Sequence, residues 1–479
     1  MPSPLGDIDL ETFRAQGRRL VDWITRYLAE AERLPVLARV RPGDVRRALP
    51  ASPPASPEPL EDFLDDVERV IVPGLTHWNH PSFFAYFANS ATAPGILGEM
   101  LSAAFNSNAM LWKTSPAATE LELLVLDWLR QMLGLPQGLF GVIQDTASAS
   151  TLVALTAARE AVPGLEARRR GLVGQARLRM YASEHAHSSV EKAGIVLGIG
   201  QEGFRSIPVD DAFRMDAVAL AAAIAEDRAA GFTPLAVTAT AGTTSTTSID
   251  PIPAIADICE KERLWLHVDA AYGGAAAVVP ELRPVLAGAE RADSIVINPH
   301  KWLFVPLDLS VLYTRRPDVV KAAFSLVPEY LRTAEEEIAP NLMDYGVSLG
   351  RRFRALKLWM VIRAFGTDGI AARIREHVRL AQLFRSWIET DPRFELAAPS
   401  PLSVVCFRTV TPQGLEAESD RLNEAVMAAV NATGEAYLSH TKLRGRTTLR
   451  LAIGNIRTEE RHVRRVYDLL GDTVDRQKL

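Results

Sequence analysis

Leu10, Phe13, Leu20, Val21, Ile24 and Leu28 recur at helical spacing, which predicts an amphipathic helix opening near Asp9 whose apolar stripe needs a partner surface. The prolines of RPGDVRRALPASPPASPEP, Arg41 to Pro59, forbid continuous helix and predict an extended connection to a second helix over Leu60 to Ile71. An arm strapped on in this way points to packing against another subunit, with packing on its own body as the alternative. From about Pro116 helical and short apolar segments alternate. A helix runs through LELLVLDWLRQML, followed by strand-like GVIQ and a helix from Thr151 through Arg159. Strands PLAVTAT, LWLHVDA and SIVIN come later, with a helix at Ile252 to Lys261 between the first two. Repeated strand-helix-strand units predict an α/β domain on a mainly parallel sheet, with ligands gathered at the carboxyl ends of the strands. After LGRRFRALKLWMVIRAFG, from Leu349, the chain reads as a long helix and then a smaller lobe that mixes helices with strands SVVCFRT and TTLRLAI. The expected division is a helical arm over 1–85, a large α/β domain over 86–360 and a small α+β domain over 361–479.

Composition narrows the classes. A chain of 479 residues, 48% of them hydrophobic and 23% charged, is an ordinary globular protein too long for one small core. With 53 basic against 58 acidic side chains the net charge is −5, which gives no reason to expect nucleic acid as a partner. Cys259 and Cys406 are the only cysteines, so neither a disulfide framework nor a cysteine-rich zinc site is expected. MPSPLGDIDLETF lacks the pattern of a signal peptide, and no apolar run approaches a membrane span, so a cytoplasmic location is the expectation.

The candidate chemistry begins with SIVINPHKWLFVPLD, Ser294 to Asp308, which sets Lys301 just past an apolar strand between His300 and Trp302. Such a lysine is often solvated; burial in this apolar context would instead depress its pKa and free a neutral amine for a Schiff base. HVDAAYGG ends another apolar strand on Asp269. A buried carboxylate needs a partner, and the protonated ring nitrogen of an aldehyde cofactor is a suitable one. QDTASAST, from Gln144, joins strand to helix through small residues, with Thr146 and Ser148 as hydroxyl donors for an anion at the helix amino terminus; an ordinary N-cap is the competing reading. YASEHAHSSVEKA holds His185 and His187, either of which could stack on a ring and shuttle protons. A metal site is the other use for these histidines, but no acidic or cysteine partner stands at ligand spacing, and none is expected.

Taken in chain order, Ser148 in its turn, His187 in EHAHSSVEKA, Asp269 in HVDAAYGG, Lys301 in NPHKW and the LGRRFRALKLW segment resemble the group II pyridoxal-phosphate-dependent decarboxylases, most closely the aromatic L-amino-acid decarboxylases. The resemblance runs from about Trp78 into the C-terminal lobe. It implies a fold type I, transferase-like α/β architecture, an obligate homodimer that includes the amino-terminal arm, and pyridoxal 5'-phosphate as cofactor. It further implies that Lys301 forms the Schiff base, that Asp269 pairs with the pyridine nitrogen, and that Ala271 lies under the ring with His187 above it. Ala147, Ser148, Asn298 and His300 would hold the phosphate, with Thr244 near the ring hydroxyl. Trp78, Tyr86, Phe87 and Asn89 would form the substrate wall, with Asn108 and Met110 added across the dimer.

The implied reaction is decarboxylation of an L-amino acid, with tyrosine, tryptophan, phenylalanine and DOPA as candidates, to the amine and CO2. In the family a tyrosine on a loop before LGRR protonates the α-carbon, and here that loop is EYLRTAEEEIAPNLMDYGVSLGRR. Counting back without a gap puts Leu342 at the tyrosine position; a three-residue gap puts Tyr345 there. A leucine there would favour decarboxylation-dependent oxidative deamination to aldehyde, ammonia and hydrogen peroxide, whereas the retained His187 favours amine formation. An aminotransferase on the same fold is a further alternative, for which Arg450 in TTLRLAI would grip a carboxylate.

Overall fold

The computed structural model describes residues 6–326, 335, 338–410 and 416–477. Asp9 caps the first helix, Leu10–Glu30, by accepting the N–H groups of Glu11 at 3.1 Å and Thr12 at 2.9 Å. No residue of that helix is buried within one chain, and Leu10 and Phe13 are 78% and 63% exposed. Polar contacts attach it to the next long element, with Gln16 Nε2 3.0 Å from Glu61 Oε1 and Trp23 Nε1 2.7 Å from Glu68 Oε1, so the apolar stripe stays uncovered. The connecting strap is less extended than expected. A helical turn forms over Asp44–Ala48, the stretch free of proline between Pro42 and Pro50. The following helix, Leu60–Asp66, continues with a wider turn through Ile71.

Seven strands build the main sheet: β1 (Phe140–Gln144), β2 (Leu178–Ser183), β3 (Phe204–Ile207), β4 (Thr233–Thr240), β5 (Trp265–Asp269), β6 (Ser294–Ile297) and β7 (Ser310–Thr314). Their order is β1-β7-β6-β5-β4-β2-β3. All pairs are parallel except those of β7, which runs antiparallel to both β6 and β1. Every residue of β5, β6 and β7 is buried, as a sheet covered on both faces requires. Helices Ala147–Glu160, Ser189–Val196, Ala217–Ala229 and Ile252–Glu262 lie between strands in sequence. Because β7 reverses between β6 and β1, β1 ends on the same edge as the parallel strands. The turns after β1, β2, β4, β5 and β6 therefore share one side of the molecule.

A second, antiparallel sheet comprises β8 (Phe394–Leu396), β9 (Val404–Thr409), β10 (Ser439–Leu443) and β11 (Arg446–Ala452) in the order β10-β11-β9-β8. It packs with the helices Ala355–Thr390, Glu416–Thr433 and Glu460–Gln477 around a core that includes Phe384, Phe407, Val426 and Leu470. The α/β architecture anticipated from the strand-helix alternation is the one the chain adopts. One boundary moved: the long helix spans Ala355–Thr390, so it begins within LGRRFRALKLWMVIRAFG rather than after it, and it is broken at Gly366, where φ is 64°. The preceding arginines are engaged elsewhere, Arg351 on Glu122, Arg352 on Glu99 and Arg354 on Asp308, which holds this stretch out of the helix. Among the described residues no helix is long and apolar enough to cross a membrane.

Candidate active site

Asp269 is the last residue of β5 and is buried; the N–H of Ala271 donates to its Oδ1 at 3.1 Å, which orients the carboxylate. One strand over, β6 runs into a helical turn, Pro299–Trp302, that carries His300 and Lys301. Trp302 anchors this turn from beneath. It is fully buried, stacks on Tyr272 at 4.7 Å and donates its indole N–H to His377 Nδ1 at 3.0 Å. Lys301 thereby projects into a cavity of about 450 Å³ whose lining includes Trp78, Tyr86, Phe87, Asn89, His187, Thr244 and His300. Burial pulls the Lys301 amine below an ordinary lysine, the nearby Asp269 charge pulls it back up, and Arg450 pushes it down again. The result is a lysine poised to present a free amine.

His187 lies in the turn between β2 and the helix Ser189–Val196. Its Nδ1 accepts the Ser189 N–H at 3.2 Å and lies 2.9 Å from the Ser189 hydroxyl, so in the neutral ring the proton sits on Nε2. Burial lowers its pKa, with Asp269 opposing and Lys301 assisting, which favours that neutral form. His185 lies outside the cavity, edge-on to Phe213 at 5.4 Å.

His300 is buried and its pKa is pushed down to about 3, first by burial and then by the Lys301 charge. Its Nδ1 accepts the Leu309 N–H at 2.9 Å, which leaves the proton on Nε2, 3.4 Å from the Asn298 amide nitrogen. The Asn298 amide, whose Oδ1 has no partner, and the His300 Nε2–H thus stand side by side as buried polar groups, and an anionic oxygen can accept from both. Thr146 occupies the N-cap position of the helix that Ala147 opens without a side-chain capping bond, and Ser148 is exposed on its first turn. Neither Ala147 nor Ser148 contributes to the wall of the Lys301 cavity.

The aromatic wall is layered. Phe87 stacks on Tyr272 with ring centroids 3.7 Å apart, and the Lys301 nitrogen lies 5.2 Å from the Phe87 ring centre. Trp78 stacks on Phe83 at 4.4 Å and lies 6.0 Å from Tyr86. Tyr86 adopts φ 50°, a conformation that costs an L-residue strain unless its surroundings hold it. Arg450 supplies the hold. This buried guanidinium donates to the Tyr86 carbonyl at 2.6 Å and the Ser245 carbonyl at 3.1 Å, and lies 4.8 Å from the Phe87 ring centre.

Arg450 and its neighbours Ser439, His440 and Thr441 complete the cavity from β10 and β11 of the small sheet. The β10 contributors were not anticipated from sequence, and Arg450 was considered only as an aminotransferase residue. The available signal was a charged residue inside an apolar strand, between Leu449 and Leu451.

Asp269, Ala271 and Asn298 lie behind the wall of this cavity rather than in it, and Asn108, Met110, Leu342 and Tyr345 stand apart from it. Asn108 accepts the Arg351 backbone N–H at 2.9 Å, and the Met110 carbonyl accepts the Met343 N–H at 3.1 Å. Leu342 and Tyr345 are buried in a short helical turn against the chain's own core, where the Tyr345 ring packs on Phe140 at 4.6 Å. Of the loop expected to carry the acid, residues 329–334, 336 and 337 lie outside the described residues.

An amine, a carboxylate, a neutral imidazole and an anion cradle gathered at the carboxyl edge of this sheet define a pyridoxal-phosphate enzyme of fold type I. The chain belongs to the pyridoxal-dependent decarboxylases, since the model of the pyridoxal-dependent decarboxylase conserved domain matches residues 42–410. It is 40% identical to tryptophan decarboxylase 2 of Oryza sativa subsp. japonica, covering 98% of this chain and 95% of that protein. It is also 40% identical to phenylacetaldehyde synthase of Arabidopsis thaliana, covering 97% and 96%. The crystal structure of Oryza sativa TDC with PLP and tryptamine superposes with a TM-score of 0.95 at 38% identity over 100% of both chains. The protein is therefore an enzyme of the aromatic amino-acid decarboxylase family, and its cofactor is pyridoxal 5'-phosphate.

Proposed function

We propose that the protein decarboxylates aromatic L-amino acids to the corresponding amines and CO2, acting as a homodimer with Lys301 as the covalent anchor. The observation that carries this reading is the convergence in one cavity of the Lys301 amine, the neutral His187 ring and the aromatic wall of Trp78, Tyr86 and Phe87. Pyridoxal phosphate, when bound, supplies an aldehyde for the substrate amine and a ring that accepts the electron pair left by departing CO2. Asp269, oriented by the Ala271 N–H, would keep a proton on the ring nitrogen and so sustain that sink. His187, with its proton on Nε2, and Ala271 would hold the ring between them, and the Nε2–H would be available as a donor. The Asn298 amide and the His300 Nε2–H would hold the phosphate together with Ala147 and Ser148, and Thr244 would serve the ring hydroxyl. Trp78, Tyr86 and Phe87 bury the aromatic side chain of the substrate and exclude water, while Asn89 adds a polar contact. Asn108 and Met110 serve the partner's cavity.

The proton delivered to the α-carbon needs a positioned acid. Tyr345 is packed on Phe140, and the loop carries a second phenol, Tyr330, outside the described residues. Tyr345→Phe and Tyr330→Phe variants therefore separate the two: the variant that diverts product from amine to aldehyde identifies the donor. The two relatives of equal identity, one a decarboxylase and one an aldehyde synthase, leave the product to experiment. Incubation with L-tryptophan, L-tyrosine, L-phenylalanine and DOPA, in air and without oxygen, is expected to release amine and CO2 in equal amounts with no peroxide. Aldehyde and peroxide appearing only in air would assign the oxidative reaction instead. Amino transfer dependent on an α-keto acid, with no CO2, would overturn decarboxylation altogether.

A further inference from the structure

β1 is an edge strand: among the described residues its only neighbour in the sheet is β7, so the backbone groups on its other side have no ladder partner there. At Ile143, just before the phosphate turn, a buried ion pair takes the place of the missing strand. The Ile143 N–H donates to Glu122 Oε1 at 2.8 Å, and the Ile143 carbonyl accepts from Arg351 Nη2 at 2.9 Å. Arg351 Nη2 and Glu122 Oε1 are 2.7 Å apart, with side-chain exposures of only 9% and 2%. The two side chains thus supply one donor and one acceptor to a single residue, as a paired strand would.

The same arginine holds a second segment. Its Nη1 donates to the Ala109 carbonyl at 3.3 Å, its backbone N–H donates to Asn108 Oδ1 at 2.9 Å, and its carbonyl accepts the Ala109 N–H at 2.8 Å. The zip extends along the loop foot through the Met343 N–H on the Met110 carbonyl at 3.1 Å, and Gln144 Nε2 closes it by donating to the Tyr345 carbonyl at 2.9 Å.

We propose that Arg351 is a positioning residue: seated on Glu122, it locks the end of β1, the Asn108–Met110 segment and the loop foot Leu342–Arg351 into one unit. The phosphate grip and the substrate wall are then set together rather than separately. This rests on the decarboxylase reading for what the wall binds, but the lock itself does not depend on the product formed.

The test compares Glu122→Gln, Arg351→Lys and Arg351→Gln with the unaltered enzyme. Cofactor affinity is read by absorbance on returning pyridoxal phosphate to the apoenzyme, and local opening by amide hydrogen exchange. The expected result is cofactor binding weakened tenfold or more in Arg351→Gln and partly rescued in Arg351→Lys. Exchange should quicken together at Ala109, Ile143 and Met343 while β4 and β5 stay protected. KM for the aromatic substrate should rise more than kcat falls once cofactor is saturating. Cofactor affinity within twofold of the unaltered enzyme would overturn the proposal, as would faster exchange throughout the sheet, which marks a merely structural pair. Should the unaltered enzyme release no CO2 from any aromatic amino acid, the functional reading fails while the cofactor and exchange measurements still decide on Arg351.

Discussion

Arg450→Lys is the substitution that most directly tests how the small sheet shapes the substrate cavity. The guanidinium serves the Tyr86 and Ser245 carbonyls at once, through nitrogens on different sides of the fork. A lysine keeps the charge but gathers its donors on one nitrogen, which cannot occupy the Nε and Nη1 positions at once and so loses one of the two carbonyls. Losing one charge-assisted hydrogen bond costs about 1.5–3 kcal/mol. At about 1.4 kcal/mol per tenfold, that is a fall in kcat/KM of roughly ten- to a hundredfold. Freed from its clamp, Tyr86 can also leave its φ of 50°, a strained state costing of order 1–3 kcal/mol, and the wall it forms with Trp78 loosens. Because the damage falls on the wall, KM should rise while the absorbance of the bound cofactor stays unchanged. Steady-state CO2 release with L-tryptophan and L-tyrosine measures the first, and a spectrum of the holoenzyme the second. A kcat/KM within threefold of the unaltered enzyme, or a matching loss of cofactor, would refute the reasoning.

Capture of pyridoxal phosphate by the apoenzyme needs the neutral Lys301 amine, so its rate should rise with pH through a midpoint below the ordinary lysine value of about 10.4. Asp269 holds that midpoint up, so Asp269→Asn should move it lower still; stopped-flow absorbance follows both, and an upward shift would contradict the assigned charges. In Gly98→Ala the new methyl would lie 2.6 Å from the Lys357 Cα, an overpacking worth about 1–3 kcal/mol that should lower the thermal unfolding midpoint. Phe13→Asp places a charge on the uncovered stripe of the arm, where Phe13 is 63% exposed in the single chain. Sedimentation should show dissociation toward monomer, and an unchanged dimer would remove the arm from the interface.

Much of the site could be read locally. Asp269 ends a short apolar strand and Lys301 and the turn at Ala147 lie within a few residues of the end of one, and residues there emerge at the carboxyl edge of a parallel sheet whatever the rest of the chain does. The helical arm was legible for the same reason: its stripe repeats every three or four residues and Asp9 caps it. Other features had no local signal. The antiparallel β7 was missed because a short, fully buried apolar run carries no mark of its direction. Arg450 lies 364 positions from the Tyr86 carbonyl it grips, and Arg351 lies 229 from Glu122. Periodicity and caps are decided by energies between near neighbours, so they are written in the order of the residues. Which buried charge meets which unpaired carbonyl is decided only when the two sheets and their helices pack, because only then does desolvation force each polar group to find its partner.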